Sequence, residues 1–351
     1  MFPARSDLVI QFSHVAYQFE KQFAHRNMGI RSYSTWTPAE TESKIGDADI
    51  IVATGFWQNT LLEKAKKLKL IQVCGAGYDQ FDVNAIKERG IRMANGRGVN
   101  ANAVAEHAMA LLLSITRQTY LARDAQNNKI WRGMNPDILT REEELGGKKM
   151  LVVGAGQIGA KVAKLSKAFD ITTTGMRRDI SKIDPIFHHA SPMTELMAEI
   201  SKFDIVVLCC PLTDETKNLF DKSVFSKMKK GAYLINVARG GCVVEKDLIA
   251  ALEAQQIGAA GIDVTDPEPL PANSPLWDME NVILTPHTGG ETRLYEDNVL
   301  DIDDIEIDLE ENQDIVIDVD DTVLDLDESD STDDLGEELN LDDIQIDLDE
   351  E

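Results

Sequence analysis

The chain reads as an α/β protein with two doubly wound parallel sheets in series, followed by an acidic tail. Three observations predict this. Short apolar runs alternate with helix-like segments from the start to about residue 300, as in parallel strands joined by crossover helices. A glycine-rich turn, Gly154-Ala155-Gly156-Gln157-Ile158-Gly159, lies between an apolar strand and a helix. From Asp301 the chain alternates apolar with acidic residues and holds no Lys or Arg.

The first series has candidate strands at Leu8–Phe12, Asp49–Thr54, Leu70–Cys74 and Ile91–Ala94. Leu61–Leu68 predicts a helix with its lysines outward. A long helix is expected from near Asn102 to about Arg123. Ala103, Ala105, Ala108, Met109, Leu111, Leu112 and Leu113 give it a broad apolar surface, suited to crossing between lobes or packing on a partner. The second series starts after Gly146-Gly147. Lys149–Val153 is a strand, the glycine turn follows, and a helix runs from about Gln157 to Phe169. Strands Ile171–Met176, Asp204–Cys209, Ala232–Val237, Ala259–Val264 and Val282–Thr285 complete a six-stranded doubly wound pattern. In the tail, runs such as Ile305-Glu306-Ile307-Asp308-Leu309 alternate like a strand, but strands of one sign repel each other. Disorder is the expectation there.

With 351 residues and 43 % hydrophobic content, the chain holds enough for about two ordinary domains. The net charge of −26 misleads, because 25 of the 61 acidic residues lie in 301–351. Residues 1–300 hold 36 acidic against 35 basic residues, so no global basic field awaits nucleic acid. Cys74, Cys209, Cys210 and Cys242 have no metal-ligand spacing, and reduced thiols are expected. Met1 through Asp7 shows no basic flank before a long apolar stretch. The longest apolar stretch, near Met109–Ile115, falls well short of the ~20 residues a membrane span needs. The expectations are a cytoplasmic protein with no membrane, nucleic-acid or metal partner.

The glycine turn has the context that gives such patterns meaning. Gly154 allows the tight turn, Gly156 lets the backbone approach a pyrophosphate, and Gly159 lets helix and strand pack closely. The helix amino terminus at Gln157 and Ile158 supplies unpaired N–H groups for phosphate. An acidic residue is expected where the second strand ends, to hold a ribose 2′-hydroxyl. The chain has Arg177 and Arg178 there. A guanidinium holds a 2′-phosphate instead, so NADP is favoured over NAD. The plainer alternative is a solvated arginine pair on a loop.

Arg239 follows a buried-type strand and precedes two glycines, so it faces the ligand crevice of this fold. It can grip a carboxylate and polarise an adjacent ketone. His287 sits just past another strand end, and Glu268 just past a third. A carboxylate on one ring nitrogen orients an imidazole and favours its charged form. The other nitrogen then gives a proton to a substrate oxygen. Gly75-Ala76-Gly77 can present backbone N–H groups to an anion, or be a plain turn. His14, His188 and His189 have no partner pattern and are read as loop residues.

Taken together, these stretches resemble the D-isomer-specific 2-hydroxyacid dehydrogenases over roughly residues 45–300. The resemblance rests on Gly75 through Asp79, Asn100 through His107, the glycine turn, Pro211-Leu212-Thr213, Asn236 through Gly241, Gly261 through Val264, and Pro286-His287. It implies a Rossmann nucleotide-binding domain at 102–287 and a flavodoxin-like substrate domain at 1–101, completed by about 288–300. It implies that Arg239, Glu268 and His287 are the catalytic set and that Asp263 holds the nicotinamide carboxamide. Pro211, Thr216, Ala238 and Gly290 join the cofactor contacts. The Ala76 and Gly77 amides, with Asn100, meet the substrate, and Phe56 and Trp57 are candidate pocket walls. The long helix carries a homodimer interface. The arginine pair resembles that of NADPH-using glyoxylate and hydroxypyruvate reductases, so a small 2-keto acid is the expected substrate. Formate dehydrogenases carry Gln where Glu268 stands. Phosphoglycerate dehydrogenases usually place a basic residue in the stretch occupied here by Ala53 through Gln58. Cofactor-sensing corepressors also share the three residues and form the alternative reading. The helix after the histidine is expected from Glu291 to about Leu300, where the tail takes over.

Overall fold

Apolar runs of three to six residues become strands because sheets covered on both faces select Val, Ile and Leu without alternation. The computed structural model describes residues 2–75, 77, 78 and 80–300. Met1, Ala76, Asp79 and the acidic segment 301–351 lie outside the described residues, so the expectations for the Ala76 amide and for a disordered tail lie outside them too.

The first sheet draws on β1 (Val9–Ser13), α1 (Phe19–His25), β2 (Arg31–Thr35), α2 (Pro38–Lys44), β3 (Ile50–Ala53), β4 (Leu70–Val73), α3 (Val83–Glu88) and β5 (Arg92–Asn95). Its five strands are parallel in the order β2-β1-β3-β4-β5. Then come α4 (Ala101–Thr116) and α5 (Thr119–Asn127). The second sheet follows, from β6 (Lys149–Val153), α6 (Gln157–Lys167), β7 (Thr172–Arg177), β8 (His189–Pro192), α7 (Leu196–Glu199), β9 (Ile205–Leu208), α8 (Lys222–Lys227), β10 (Ala232–Asn236), α9 (Glu245–Glu253), β11 (Ile257–Ile262) and β12 (Val282–Leu284). Its seven strands are parallel in the order β12-β11-β10-β9-β6-β7-β8. Among the described residues, α10 (Tyr295–Leu300) comes last. The strand order reverses beside β1 in one sheet and beside β6 in the other, and ligands bind at the carboxyl ends of such switch points.

Each sheet is covered on both faces. Leu151, Val153, Val206 and Leu234 pack with Phe220 and Phe225 on one side of the second sheet, and Met150, Val152, Val207 and Ile235 with α4 and α6 on the other. On the first sheet, Ile51, Ile71 and Val73 pack with Trp57 and Phe81, while Ile10, Phe12 and Cys74 pack with Phe19. Tyr295 and Val299 of α10 belong to that last cluster. The helix expected after the histidine thus begins four residues later than expected and packs on α1, with Tyr295 against Tyr17 and Phe19. Among the described residues, no helix is long and apolar enough to cross a membrane.

Four expectations change. The chain adds two strands not foreseen, β2 and β8, each at a sheet edge. Edge strands are only partly covered, so Arg-Ser-Tyr-Ser-Thr and His-Ala-Ser-Pro carry no apolar run. His189 therefore opens a strand rather than lying in a loop. The helix foreseen at Leu61–Leu68 is only a 3-10 turn at Asn59–Glu63. The single long helix at 102–123 is two helices, because the Thr116 carbonyl accepts the Glu143 amide at 2.8 Å and Gln118 turns left-handed (φ +53°).

Candidate active site

The glycine turn between β6 and α6 fits a dinucleotide on steric grounds. Gly154 has φ +97°, and a Cβ there would lie 2.6 Å from the Cys210 Cα atom. A Cβ on Gly159 would lie 2.6 Å from the Gly154 carbonyl oxygen and 2.9 Å from Val152 Cγ1. A Cβ on Gly156 would meet nothing within 4 Å. Two glycines thus make close packing possible, and the third faces open space at the start of an eleven-residue helix. That is the arrangement a pyrophosphate needs. Gln157, in the first turn with Ile158, sends its side chain onto the backbone of Gly98.

Other residues foreseen as cofactor contacts line the same edge. Thr216 Oγ1 donates to the Pro211 carbonyl at 2.6 Å and accepts the Thr213 amide at 2.8 Å, which shapes the loop after β9. Arg177 ends β7, and its Nη1 donates to the Lys182 carbonyl at 2.9 Å. Arg178 is exposed, 3.8 Å from Glu215. The first carboxylate after this strand, Asp179, folds into its own loop, accepting from the Ser181 hydroxyl at 2.6 Å and amide at 3.0 Å. Those bonds hold its carboxyl below the usual range, the serine hydroxyl contributing most.

Three loops bring the polar set together. Val237 and Ala238 leave β10 buried, and Arg239 emerges half-buried with Nη1 donating to the Ala238 carbonyl at 2.7 Å. Asn236 fixes the bend: its amide nitrogen donates to the Arg239 carbonyl at 3.2 Å, and its amide oxygen accepts the Ala238 N–H at 3.1 Å. The next residue, Gly240, lies against the loop after β11, where a Cβ would be 2.5 Å from the Asp266 nitrogen. That loop carries Glu268, whose Oε1 accepts the Thr265 amide at 3.0 Å. Its Oε2 lies 2.8 Å from His287 Nδ1. The Glu–His pair foreseen from sequence is therefore formed. The ring's Nε2 points away from this contact.

His287 is held in the left-handed region (φ +55°), which a non-glycine residue seldom adopts. Such a conformation costs on the order of 1–3 kcal/mol and persists only where the surroundings fix it. Here the His287 amide donates to the Asp263 carbonyl at 2.8 Å. Asp263 Oδ1 accepts the Thr285 hydroxyl at 2.6 Å and the Thr288 amide at 3.0 Å, and Oδ2 accepts the Gly289 amide at 3.0 Å. Burial works to raise the Asp263 carboxyl, but the hydrogen bonds from His107, Thr285 and Gly289 outweigh it and leave it below the usual range.

The first sheet supplies the opposite wall. Gly77 lies under the Arg239 guanidinium: a Cβ there would stand 3.1 Å from its central carbon. Tyr295 Oη donates to the Cys74 carbonyl at 2.8 Å, at the root of the same loop. Asn100, at the start of α4, packs its amide against Gly290. Phe56 is half-buried. Trp57 is 3 % exposed and stacks on Phe81 at 5.4 Å in the core beneath β3, so it is not a pocket wall. An apolar aromatic near a strand end looks the same in sequence whether it faces the core or the crevice. Sequence reading also passed over Thr285, Asn236 and Tyr295, whose partners are set by the fold.

Two parallel sheets, a glycine turn that opens a helix, and an arginine-bearing loop packed against the loop of a carboxylate–histidine pair define the architecture of a dehydrogenase. The chain belongs to the D-isomer-specific 2-hydroxyacid dehydrogenases. The model of that family's catalytic domain matches residues 9–178, and the model of its NAD-binding domain matches residues 109–289. The chain is 36 % identical over 269 residues to the glyoxylate reductase of Thermofilum pendens, covering 73 % of this chain and 77 % of that one. It is likewise 36 % identical over 268 residues to the D-3-phosphoglycerate dehydrogenase of Methanocaldococcus jannaschii, covering 73 % of this chain and 48 % of the relative. A solved structure of a D-isomer-specific 2-hydroxyacid dehydrogenase family protein from Aeromonas salmonicida superposes with a TM-score of 0.74 at 30 % identity, covering 84 % of this chain and 93 % of that one.

Proposed function

We propose that the chain reduces a small 2-keto acid, of the glyoxylate or hydroxypyruvate kind, to the D-2-hydroxy acid, with NADP(H) preferred over NAD(H). The observation that carries this is the 2.8 Å contact between Glu268 and His287 beside Arg239, at the carboxyl edge of a dinucleotide-binding sheet. The nicotinamide, when bound, supplies the hydride. The residues do the rest. Arg239, over Gly77, holds the substrate carboxylate and draws electron density from the carbonyl. His287 gives the carbonyl oxygen its proton from Nε2, and Glu268 fixes the ring through Nδ1. Asp263 keeps one lone pair on Oδ2 beside the Gly289 amide, enough to accept from a carboxamide N–H. The functional division follows the two sheets: 1–101 with 288–300 for substrate, 102–287 for cofactor. The corepressor-like reading gains no support from these observations.

Cofactor preference rests on the position of Arg177 and Arg178 after β7, where the first carboxylate along the chain, Asp179, is turned onto Ser181. A guanidinium–phosphate contact is worth about 1.5–3 kcal/mol, or roughly ten- to a hundredfold in affinity. A homodimer is favoured by the stretch after α5. Ile130, Trp131, Met134, Ile138 and Leu139 are 61 to 101 % exposed there, more apolar surface than a lone soluble chain usually leaves in one place. A second copy over α4, α5 and this stretch covers it.

One set of measurements tests the reading. Absorbance of NADPH and NADH is followed with glyoxylate, hydroxypyruvate, pyruvate and longer 2-keto acids. Arg239→Ala should raise KM and lower kcat together. Arg177→Asp should move the preference toward NADH, and equal kcat/KM for both cofactors in the unmutated chain would sink that part. Silence on every acid, with cofactor still bound, would overturn the enzyme reading. Light scattering on the same protein reads one chain or two.

A further inference from the structure

His107 lies on α4 and none of the roles assigned above uses it. Its Nε2 is 2.9 Å from Thr285 Oγ1 and 3.3 Å from Asp263 Oδ1. Thr285 Oγ1 in turn is 2.6 Å from that same carboxylate oxygen. A threonine hydroxyl has one proton, and at 2.6 Å from a carboxylate it is used there. Toward the ring, Thr285 therefore accepts, and His107 Nε2 carries the proton that it donates.

The carboxylate these bonds load is the one that fixes the histidine loop. Asp263 takes the amides of Thr288 and Gly289 on its side chain and that of His287 on its carbonyl. A Cβ on Gly289 would lie 2.8 Å from Asp263 Oδ2 and 3.0 Å from the His107 ring, so loop, carboxylate and ring pack with no slack. We propose that His107 is a positioning residue for proton transfer: through Thr285 and Asp263 it holds the 285–289 segment in the left-handed turn that aims His287. The proposal rests on the reductase reading and ties α4, which lies between the two sheets in sequence, to the acid–base step.

His107 also lines an open cleft of about 290 Å³ with Thr288 and Gly289, so a replacement there is not forced into a closed core. His107→Phe keeps the ring without the donor. His107→Gln keeps an N–H donor at similar reach. Both are compared with the unmutated full chain on glyoxylate and hydroxypyruvate with NADPH. His107→Phe should lower kcat roughly ten- to a hundredfold, as misplaced catalytic groups do. KM for the 2-keto acid should stay within about twofold. His107→Gln should recover most of the rate. Hydrogen exchange at the Thr288 and Gly289 amides should quicken in the Phe variant and not in the Gln variant. A Phe variant as fast as the unmutated chain, equal losses in both variants, or a loss confined to KM each overturns the proposal. Should the unmutated chain turn over no 2-keto acid, the reductase reading fails, and the exchange rates alone decide whether His107 holds the segment.

Discussion

Both sheets end a central strand in a glycine turn, yet the two turns are supported differently. After β6, Gly154 through Gly159 runs straight into α6, and the helix itself supplies N–H groups and a partial positive charge. After β4, among the described residues, Gly75 and Gly77 lead to no helix until α3 begins at Val83. That turn borrows what it lacks: the guanidinium of Arg239 from beyond β10 lies over it, and Tyr295 of α10 bonds its root. One turn is supported by local chain, the other by distant segments. The first is therefore a property of a sheet, and the second exists only where both sheets meet.

The contrast can be broken most severely at Gly154. An alanine there meets backbone of Cys210, which cannot give way, and must also hold φ +97°. The left-handed backbone alone costs roughly 1–2 kcal/mol, and the clash adds to it. Gly154→Ala should lower Tm markedly and abolish cofactor binding; a variant with unchanged Tm and Kd would show that the turn is not rigid. Gly77→Ala is the sharper probe. The three atoms nearest the new methyl all belong to the guanidinium of Arg239, the far end of a flexible side chain that can swing aside. Tm should stay nearly unchanged while KM for the 2-keto acid rises roughly tenfold, about 1.4 kcal/mol. A large fall in Tm with KM intact would mean that Gly77 serves the fold rather than the anion.

The smallest effect concerns pH. His14, just past β1, accepts the amides of Ala16 and Tyr17 on Nδ1 and stacks on Tyr17 at 4.0 Å. Burial lowers its pKa from 6.5, and nearby Glu296 only partly opposes this. The folded state thus prefers the neutral ring. Its contribution is fully present above pH 6.5 and is lost as pH falls from there toward the folded value. Tm should decline between neutral and mildly acidic pH, and less so in His14→Asn, which keeps an acceptor without a titration. Parallel declines in both proteins would assign the effect to other groups.

The sequence shows most of the strands and the polar trio for one reason. Strands covered on both faces must be apolar throughout, and residues just past their carboxyl ends must face the crevice. Arg239, Glu268 and His287 all sit at such positions, so their meeting followed from topology. What escaped depends on contacts that local pattern does not encode. β2 and β8 lie at edges, where a strand can be polar and carry no apolar run. The break after Thr116 depends on a carbonyl captured by Glu143, far along the chain. His107 stood inside a recognised motif, but its partners Asp263 and Thr285 lie more than 150 residues away in sequence. Trp57 needed the fold to tell core from crevice.

The position of α10 carries a consequence for how the protein is made. Tyr295 bonds Cys74, Glu296 accepts the Gln18 amide at 2.9 Å, and Asp297 pairs with Arg26 at 3.2 Å. The first sheet therefore lacks one of its covering helices until translation reaches about residue 300. Meanwhile Phe12, Phe19 and Tyr17 keep an apolar face that α10 later covers. At about 5–20 residues per second, that interval lasts on the order of ten seconds or more. Over that time the nascent first lobe is a natural client for a chaperone, whereas the second can close its own core as it emerges.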